Sequence, residues 1–247
     1  MNVLVCVKRV PETGARITLT ADEQSIDTTY LGFTISPHEE CAVEEALRIG
    51  DKTTVLTLGP AAAVEQLQNA LAMGIESAIL LETDGDDWGP EATAAAIADA
   101  VRDRSFDLLL FGNESADNGN YQVAIRVAAA LGLPWVTGIK GIEIGDGVVR
   151  ARREAGGGWE VFELPLPAVV SVREGINLPR YPSLPGRLRA KKAEIERVTP
   201  ERRADGLEKV RLLVPQEEAK TVEILGDGPS AAPRVAELLR ELGLVAS

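Results

Sequence analysis

Residues 36–60 read SPHEECAVEEALRIGDKTTVLTLGP. Ser36 stands where an N-cap belongs, Pro37 falls at the first helical position, and Glu39 completes a capping box with the serine. Ala42, Val43, Ala46 and Leu47 recur at helical spacing, and Gly50 ends the pattern. TTVLTLGP (53–60) is then an apolar run of strand length. A capped amphipathic helix that feeds a strand without polar alternation is the grammar of a parallel sheet covered on both faces.

The same grammar extends outward in both directions. VLVCVKRV (3–10) predicts an earlier buried strand. Downstream, AAVEQLQNALAMG (62–74) predicts a helix, SAILLET (77–83) a strand, GPEATAAAIADAVRDR (89–104) a helix and FDLLLFG (106–112) a strand. The loop NESADNGN and a helix over 121–132 follow. From 139 to 172 apolar and polar residues alternate between Gly-rich turns, which predicts antiparallel hairpins added to the sheet. LPRYPSLPGRLRAKK (178–192) carries three prolines among leucines, a tyrosine and a basic cluster, and predicts a stiff loop rather than a helix or central strand. EKVRLLVPQEE and a helix over 232–245 close the chain.

Composition excludes several functions. The 247 residues carry a formal net charge of −12, which argues against general nucleic-acid binding and makes 178–192 a local basic contrast. No apolar run approaches the ~20 residues of a membrane span. The N-terminal run has no charged leader and turns polar after seven residues, so it reads as the first strand of a cytoplasmic domain. Cys6 and Cys41 make no metal pattern and read as small core residues in a reducing compartment. DGDD (84–87) reads as a solvated loop. With one histidine, His38, and no nucleophile elbow, a serine hydrolase is not indicated.

Ligands of open parallel sheets bind beyond the C-terminal strand ends. That rule selects Cys6–Pro11, Ser36–Glu39, Leu58–Pro60 and Gly112–Gln122. In the last, GNESADNGNYQV runs small residues into a helix start suited to a phosphate. It is neither a Walker loop nor a dinucleotide fingerprint, and an ordinary polar turn is an equal reading at this point.

Taken in order, VLVCVKRVPETG, SPHEECAVEEALRI, TLGP with ALAMG, LLLFGNESADNGNYQV, and LPAVVSV with INLPRYPSLPGRLRAKK resemble the beta subunit of electron transfer flavoprotein over nearly the whole chain. The resemblance implies an α/β fold with a mostly parallel sheet, helices on both faces (similar to adenine nucleotide alpha hydrolases), an antiparallel hairpin extension and a C-terminal arm. It implies two parts. Residues 1–195 form the nucleotide-binding domain with a recognition loop, and 196–247 form an arm that packs on a larger alpha subunit. The implied cofactors are a structural AMP in this chain and an FAD held mainly by the alpha subunit.

By the same resemblance, Cys6 and Leu58 flank the adenine. Ser36 replaces the family's usual Asn, which removes an amide but leaves a hydroxyl that can hydrogen-bond. Gly112, Ser115, Asp117, Asn118 and Gly119 fall in the ribose-phosphate loop, and Asn120, Tyr121, Gln122 and Val123 at the helix start. A carboxylate beside a phosphate is unfavourable, so Asp117 is read as a ribose contact or a turn cap. Thr13 and His38 match positions near the flavin of the alpha subunit, although a lone His early in a helix is otherwise a surface residue. Leu184 falls on the anchor that docks partner dehydrogenases, with Tyr181, Pro185 and Arg187 around it. The competing reading for Leu184 is a core leucine under a surface loop.

The resulting expectation is an electron-carrier subunit with no catalytic activity of its own. Within the family the alternative is a bifurcating type with a second FAD in the AMP site. From another class, the alternative is an ATP-hydrolysing or adenylating enzyme, against which stand the missing pyrophosphate loop and the lack of an acidic pair for Mg²⁺.

Overall fold

A computed structural model describes residues 1–12, 14–85, 87–215 and 222–245; Thr13, Asp86 of the DGDD run and the end of the EKVRLLVPQEE stretch lie outside the described residues. Strand β1 (Asn2–Cys6) leads to a two-residue pair, β2 (Val10–Pro11) and β3 (Phe33–Thr34), and then to α1 (Pro37–Ile49). Strand β4 (Lys52–Gly59), α2 (Val64–Met73), β5 (Ser77–Glu82), α3 (Pro90–Val101), β6 (Leu108–Gly112) and α4 (Val123–Leu131) follow. Next come β7 (Trp135–Ile139), β8 (Gly141–Gly145), β9 (Val148–Ala155), β10 (Gly158–Pro165) and β11 (Ala168–Val172). The chain closes with α5 (Leu184–Ala190), β12 (Glu196–Val198) and α6 (Ala232–Glu241).

Seven strands form one sheet in the order β12-β5-β4-β1-β6-β11-β7, every neighbouring pair parallel. Alternate strand residues face two separate cores. Val3, Val5, Val55, Leu80 and Leu110 pack with α1 and α2, whereas Leu4, Leu56, Ile79, Leu81 and Leu109 pack with α3 and α4. Both sheet faces are thus removed from water, which is why the strands lack polar alternation. The chain starts in the middle of the sheet, builds outward through β4 and β5, then returns to the other side of β1 with β6. The switch point therefore lies between β1 and β6.

Three sequence expectations are corrected. The hairpin region does not extend the main sheet: β8, β9 and β10 form their own three-stranded antiparallel sheet. The stretch AVVSV leaves that region as β11, a parallel strand between β6 and β7 with all five residues buried. Its continuous apolar run marked it as doubly covered. The helix expected from Tyr121 begins at Val123, because Tyr121 takes a φ of +58°. The Pro-rich stretch does contain a helix, α5. Pro179 and Pro182 precede it, and Pro185 occupies its first turn, where the missing N–H has no helical partner to lose. Ser183 caps it by accepting from Gly186 N–H at 3.1 Å. A side chain at Gly186 would meet the Ala72 carbonyl oxygen of α2 at 2.3 Å, so α5 packs against α2 only because that residue is glycine.

Two compact units divide after Arg211. The first reaches beyond residue 195 because β12 adds to the sheet edge beside β5 and the segment after it binds α3. Gly89, the α3 N-cap, has no side chain to cap with. Asp205 supplies that function, accepting from Gly89 N–H at 3.1 Å and Ala92 N–H at 2.9 Å. In the second unit α6 is amphipathic, and Leu213, Val214, Val222 and Ile224 are exposed. No described helix is long and apolar enough to cross a membrane.

Candidate functional site

The site grows from the C-terminal ends of β1 and β6 and the start of α1. The buried Glu39 carboxylate joins two of these. Its Oε1 accepts from Lys8 N–H at 3.0 Å, and its Oε2 accepts from Ser36 N–H at 3.0 Å. The expected capping box is therefore formed, and its acid also holds the chain leaving β1. Gly112 ends β6 against the same group: a Cβ there would lie 2.6 Å from Glu39 Cγ and 3.2 Å from His38 Cβ. Ser36 is buried and donates through Oγ to the Glu114 carbonyl at 3.2 Å, tying the helix start to the 112–122 loop.

Opposite charges are paired inside this loop. Lys8 Nζ lies 2.6 Å from Asp117 Oδ2, and Asp117 Oδ1 accepts from Asn118 N–H at 2.7 Å. Burial alone would raise the Asp117 pKa; the Lys8 ammonium together with hydrogen bonds from Ser115 and Asn118 N–H holds this carboxyl below its ordinary range. His38 is 15% exposed, not a free surface residue. Its Nδ1 accepts from Glu174 N–H at 3.0 Å, and its Nε2 stands 3.3 Å from Glu114 Oε1. Nδ1 is thus taken by the backbone, and Nε2 is the nitrogen that faces Glu114.

Gly119 takes a φ of +55° and donates to the Ser115 carbonyl at 3.1 Å, closing the loop. Tyr121 is also left-handed, and Gln122 after it is right-handed at φ −110°, ψ −30°. Such alternation turns successive N–H groups towards one side as an anion-binding nest. Gln122 makes no side-chain cap; its Oε1 accepts from Arg126 instead. Among the described residues the N–H groups of Asn120 to Ile125 find no protein acceptor. Six unused donors at the start of a nine-residue helix can take a phosphate.

Cys6, Ser36, Gly112, Ser115 and Asp117–Val123 all come from elements that end or begin at this switch-point rim. Cys6 is buried, and burial pushes its thiol pKa far up, which leaves it inert. Leu58 is part-buried near the end of β4 and packs on the α3–α4 core. Leu184, Tyr181, Pro185 and Arg187 lie elsewhere, in the segment entering α5 and in α5 itself, all exposed. Lys8, Glu39 and Glu114 lie within the segments that the sequence selects, but the reading of those segments does not single them out as site residues. Lys8 had a signal, a cation interrupting an apolar strand run; Glu39 was read only as a helix-start residue. No group of three or more described His, Cys, Asp or Glu residues is placed to hold a metal.

Two buried carboxylates give the fold a two-limbed pH response. Burial raises the Glu39 pKa from 4.5 to about 7 against its two N–H donors. Between these values the folded chain binds more protons than the unfolded chain, so stability falls as pH rises through that window. The shift corresponds to about 3 kcal/mol. Glu44 is opposite in sign. Burial would raise its pKa, but hydrogen bonds from Arg180 and Arg48 bring it from 4.5 down to about 2. Its stabilisation is present above 4.5 and is lost as pH falls towards 2. Urea midpoints should therefore climb as pH drops from about 8 to about 5 and fall at lower pH. Glu39→Gln should flatten the neutral limb alone, and an unchanged neutral limb in that variant would rule out Glu39 as its source.

The family profile of the electron transfer flavoprotein domain matches residues 25–202. An electron transfer flavoprotein subunit beta from Syntrophomonas wolfei is 34% identical over 247 residues, covering 97% of this chain and 96% of the relative. The subunit beta of Bacillus subtilis is 36% identical over 202 residues, covering 79% and 78%. That of Dictyostelium discoideum is 31% identical over 206 residues, covering 81% and 82%. With a seven-stranded parallel sheet whose order reverses at β1 and β6, and with these relatives spanning most of their own length, the chain belongs to the electron transfer flavoprotein beta-subunit family.

Proposed function

We propose that this chain holds AMP as a structural ligand in the β1–β6 cleft, completes an FAD-containing heterodimer with an alpha subunit, and docks partner dehydrogenases through the loop around Leu184. The observation that carries the nucleotide reading is the row of unused N–H donors from Asn120 to Ile125 beside a nest. Asp117 and Glu114 would repel a phosphate if left bare. Lys8 pairs with Asp117 and offsets its charge, and Glu114 faces His38 Nε2 at 3.3 Å.

The chain's own residues bind and position; the redox chemistry belongs to the flavin, held mainly by the alpha subunit. The exposed apolar side chains of the 212–245 segment suit an arm that folds against that subunit.

Nucleotide extraction from the purified heterodimer tests the reading. One AMP and one FAD per heterodimer is the expected result. Two FAD and no AMP would replace it with the bifurcating type, and an empty cleft in fully folded, active protein would remove the structural-nucleotide role.

A further inference from the structure

The chain that leaves β11 does not wander to α5. It runs along α1 as a strap, fastened at every third residue. Glu174 N–H donates to His38 Nδ1 at 3.0 Å. Asn177 Nδ2 donates to the Cys41 carbonyl and to Glu45 Oε1, both at 2.9 Å. Arg180 grips Glu44 three times: N–H to Oε2 at 3.1 Å, Nε to Oε2 at 2.8 Å and Nη2 to Oε1 at 3.0 Å. His38, Cys41 and Glu44 are spaced by three on one helix face, and 174, 177 and 180 match that spacing. The strap thus runs from the nucleotide end of α1 to the base of the docking loop.

The last fastening is the strongest. Glu44 is buried, and a bidentate guanidinium–carboxylate pair fixes direction as well as distance. Beyond it Tyr181 and Leu184 are 95% and 72% exposed. After Leu184 the chain is fixed again, by Gly186 against Ala72 of α2 and by buried Ala190. Leu184 therefore stands on a short span clamped to α1 on one side and to α2 on the other. Arg187, Arg189, Lys191 and Lys192 are exposed and make no ion pair among the described residues, so the surface the span offers is apolar with a basic rim. In a chain of net charge −12, that rim fits a partner with an acidic surface.

We propose that the α1 strap is the positioning device of the docking loop and that Arg180, through Glu44, is a positioning residue for dehydrogenase docking. This rests on the docking role proposed for Leu184. Arg180 need not touch the partner: it removes the freedom the span would otherwise lose on binding.

Arg180→Met is the informative variant. It keeps an apolar stem of similar length and leaves Glu44 paired with Arg48 Nε at 2.9 Å, so no buried charge is orphaned. In the purified heterodimer it should raise the KM for a cognate dehydrogenase about tenfold with kcat and FAD content unchanged. It should also speed amide hydrogen exchange of Arg187 and its neighbours at the start of α5. Combined with Leu184→Ala it should add little, because both act through one contact. Unchanged exchange in Arg180→Met would overturn the positioning device whatever Leu184 does. Faster exchange with Leu184→Ala inactive on KM would keep the device and refute the docking role of the leucine. Full additivity of the two changes would mean Arg180 contacts the partner directly.

Discussion

Leu184→Ala should raise the KM of the heterodimer for a cognate dehydrogenase about ten- to a hundredfold. Burying one leucine contributes roughly 1.5–3 kcal/mol, and each 1.4 kcal/mol is tenfold in affinity. The side chain is 72% exposed, so removing it opens no cavity in this chain. Melting temperature, AMP content and FAD content should hardly move. Steady-state reduction of the heterodimer, with the dehydrogenase limiting, gives the number. Neutralising Arg187, Arg189, Lys191 and Lys192 should behave differently. Exposed cations steer encounter, and their effect should fade as salt screens them, whereas the Leu184 effect should persist. Leu184→Ala protein that reduces normally would move the anchor to Tyr181, the other large exposed apolar residue of the span.

The parallel sheet was legible because both of its faces are covered. Leu4, Leu56, Leu80 and Leu110 are fully buried, and strands of that kind announce themselves by runs that never alternate. AVVSV had the same signature, yet its position after three alternating strands drew it into the hairpin reading. Sequence proximity misled there because the order of strands in a sheet is not encoded locally. The α5 error has another source. Proline count was read as a helix veto, although proline in the first turn costs no hydrogen bond. At the site, the loop glycines and the helix start were legible from turn chemistry. Lys8 and Glu39 were not, since their roles come from pairings across 109 and 31 residues, Lys8 with Asp117 and Glu39 with Lys8, which no local pattern reports.

Gly112→Ala should be the most damaging single methyl in the proposed nucleotide site. The new carbon would lie 2.6 Å from Glu39 Cγ and 3.1 Å from the Glu39 backbone nitrogen, against an ordinary carbon contact of about 3.5–4.0 Å. Glu39 cannot swing aside cheaply, because both its oxygens accept backbone N–H groups. Either those bonds break or the start of α1 moves off β6. Overpacking of this kind costs about 1–3 kcal/mol, and a constrained neighbour puts it at the upper end. That is a fall of roughly 6–12 °C in melting temperature for a chain of this size. The move also displaces Ser36, whose hydroxyl holds the 112–122 loop at Glu114, so AMP should be lost from the purified protein. Gly119→Ala is the control. Its new carbon would have 3.7 Å of clearance, leaving only the strain of a left-handed alanine, about 1 kcal/mol. The two should separate in nucleotide titrations. Excess AMP raises the melting temperature by mass action wherever the cleft is intact. It should do so for Gly119→Ala at high concentration and fail for Gly112→Ala. A Gly112→Ala protein that melts normally with AMP bound would mean that α1 and β6 can part without cost. Glu39 would then not be the group that holds the two halves of the cleft together.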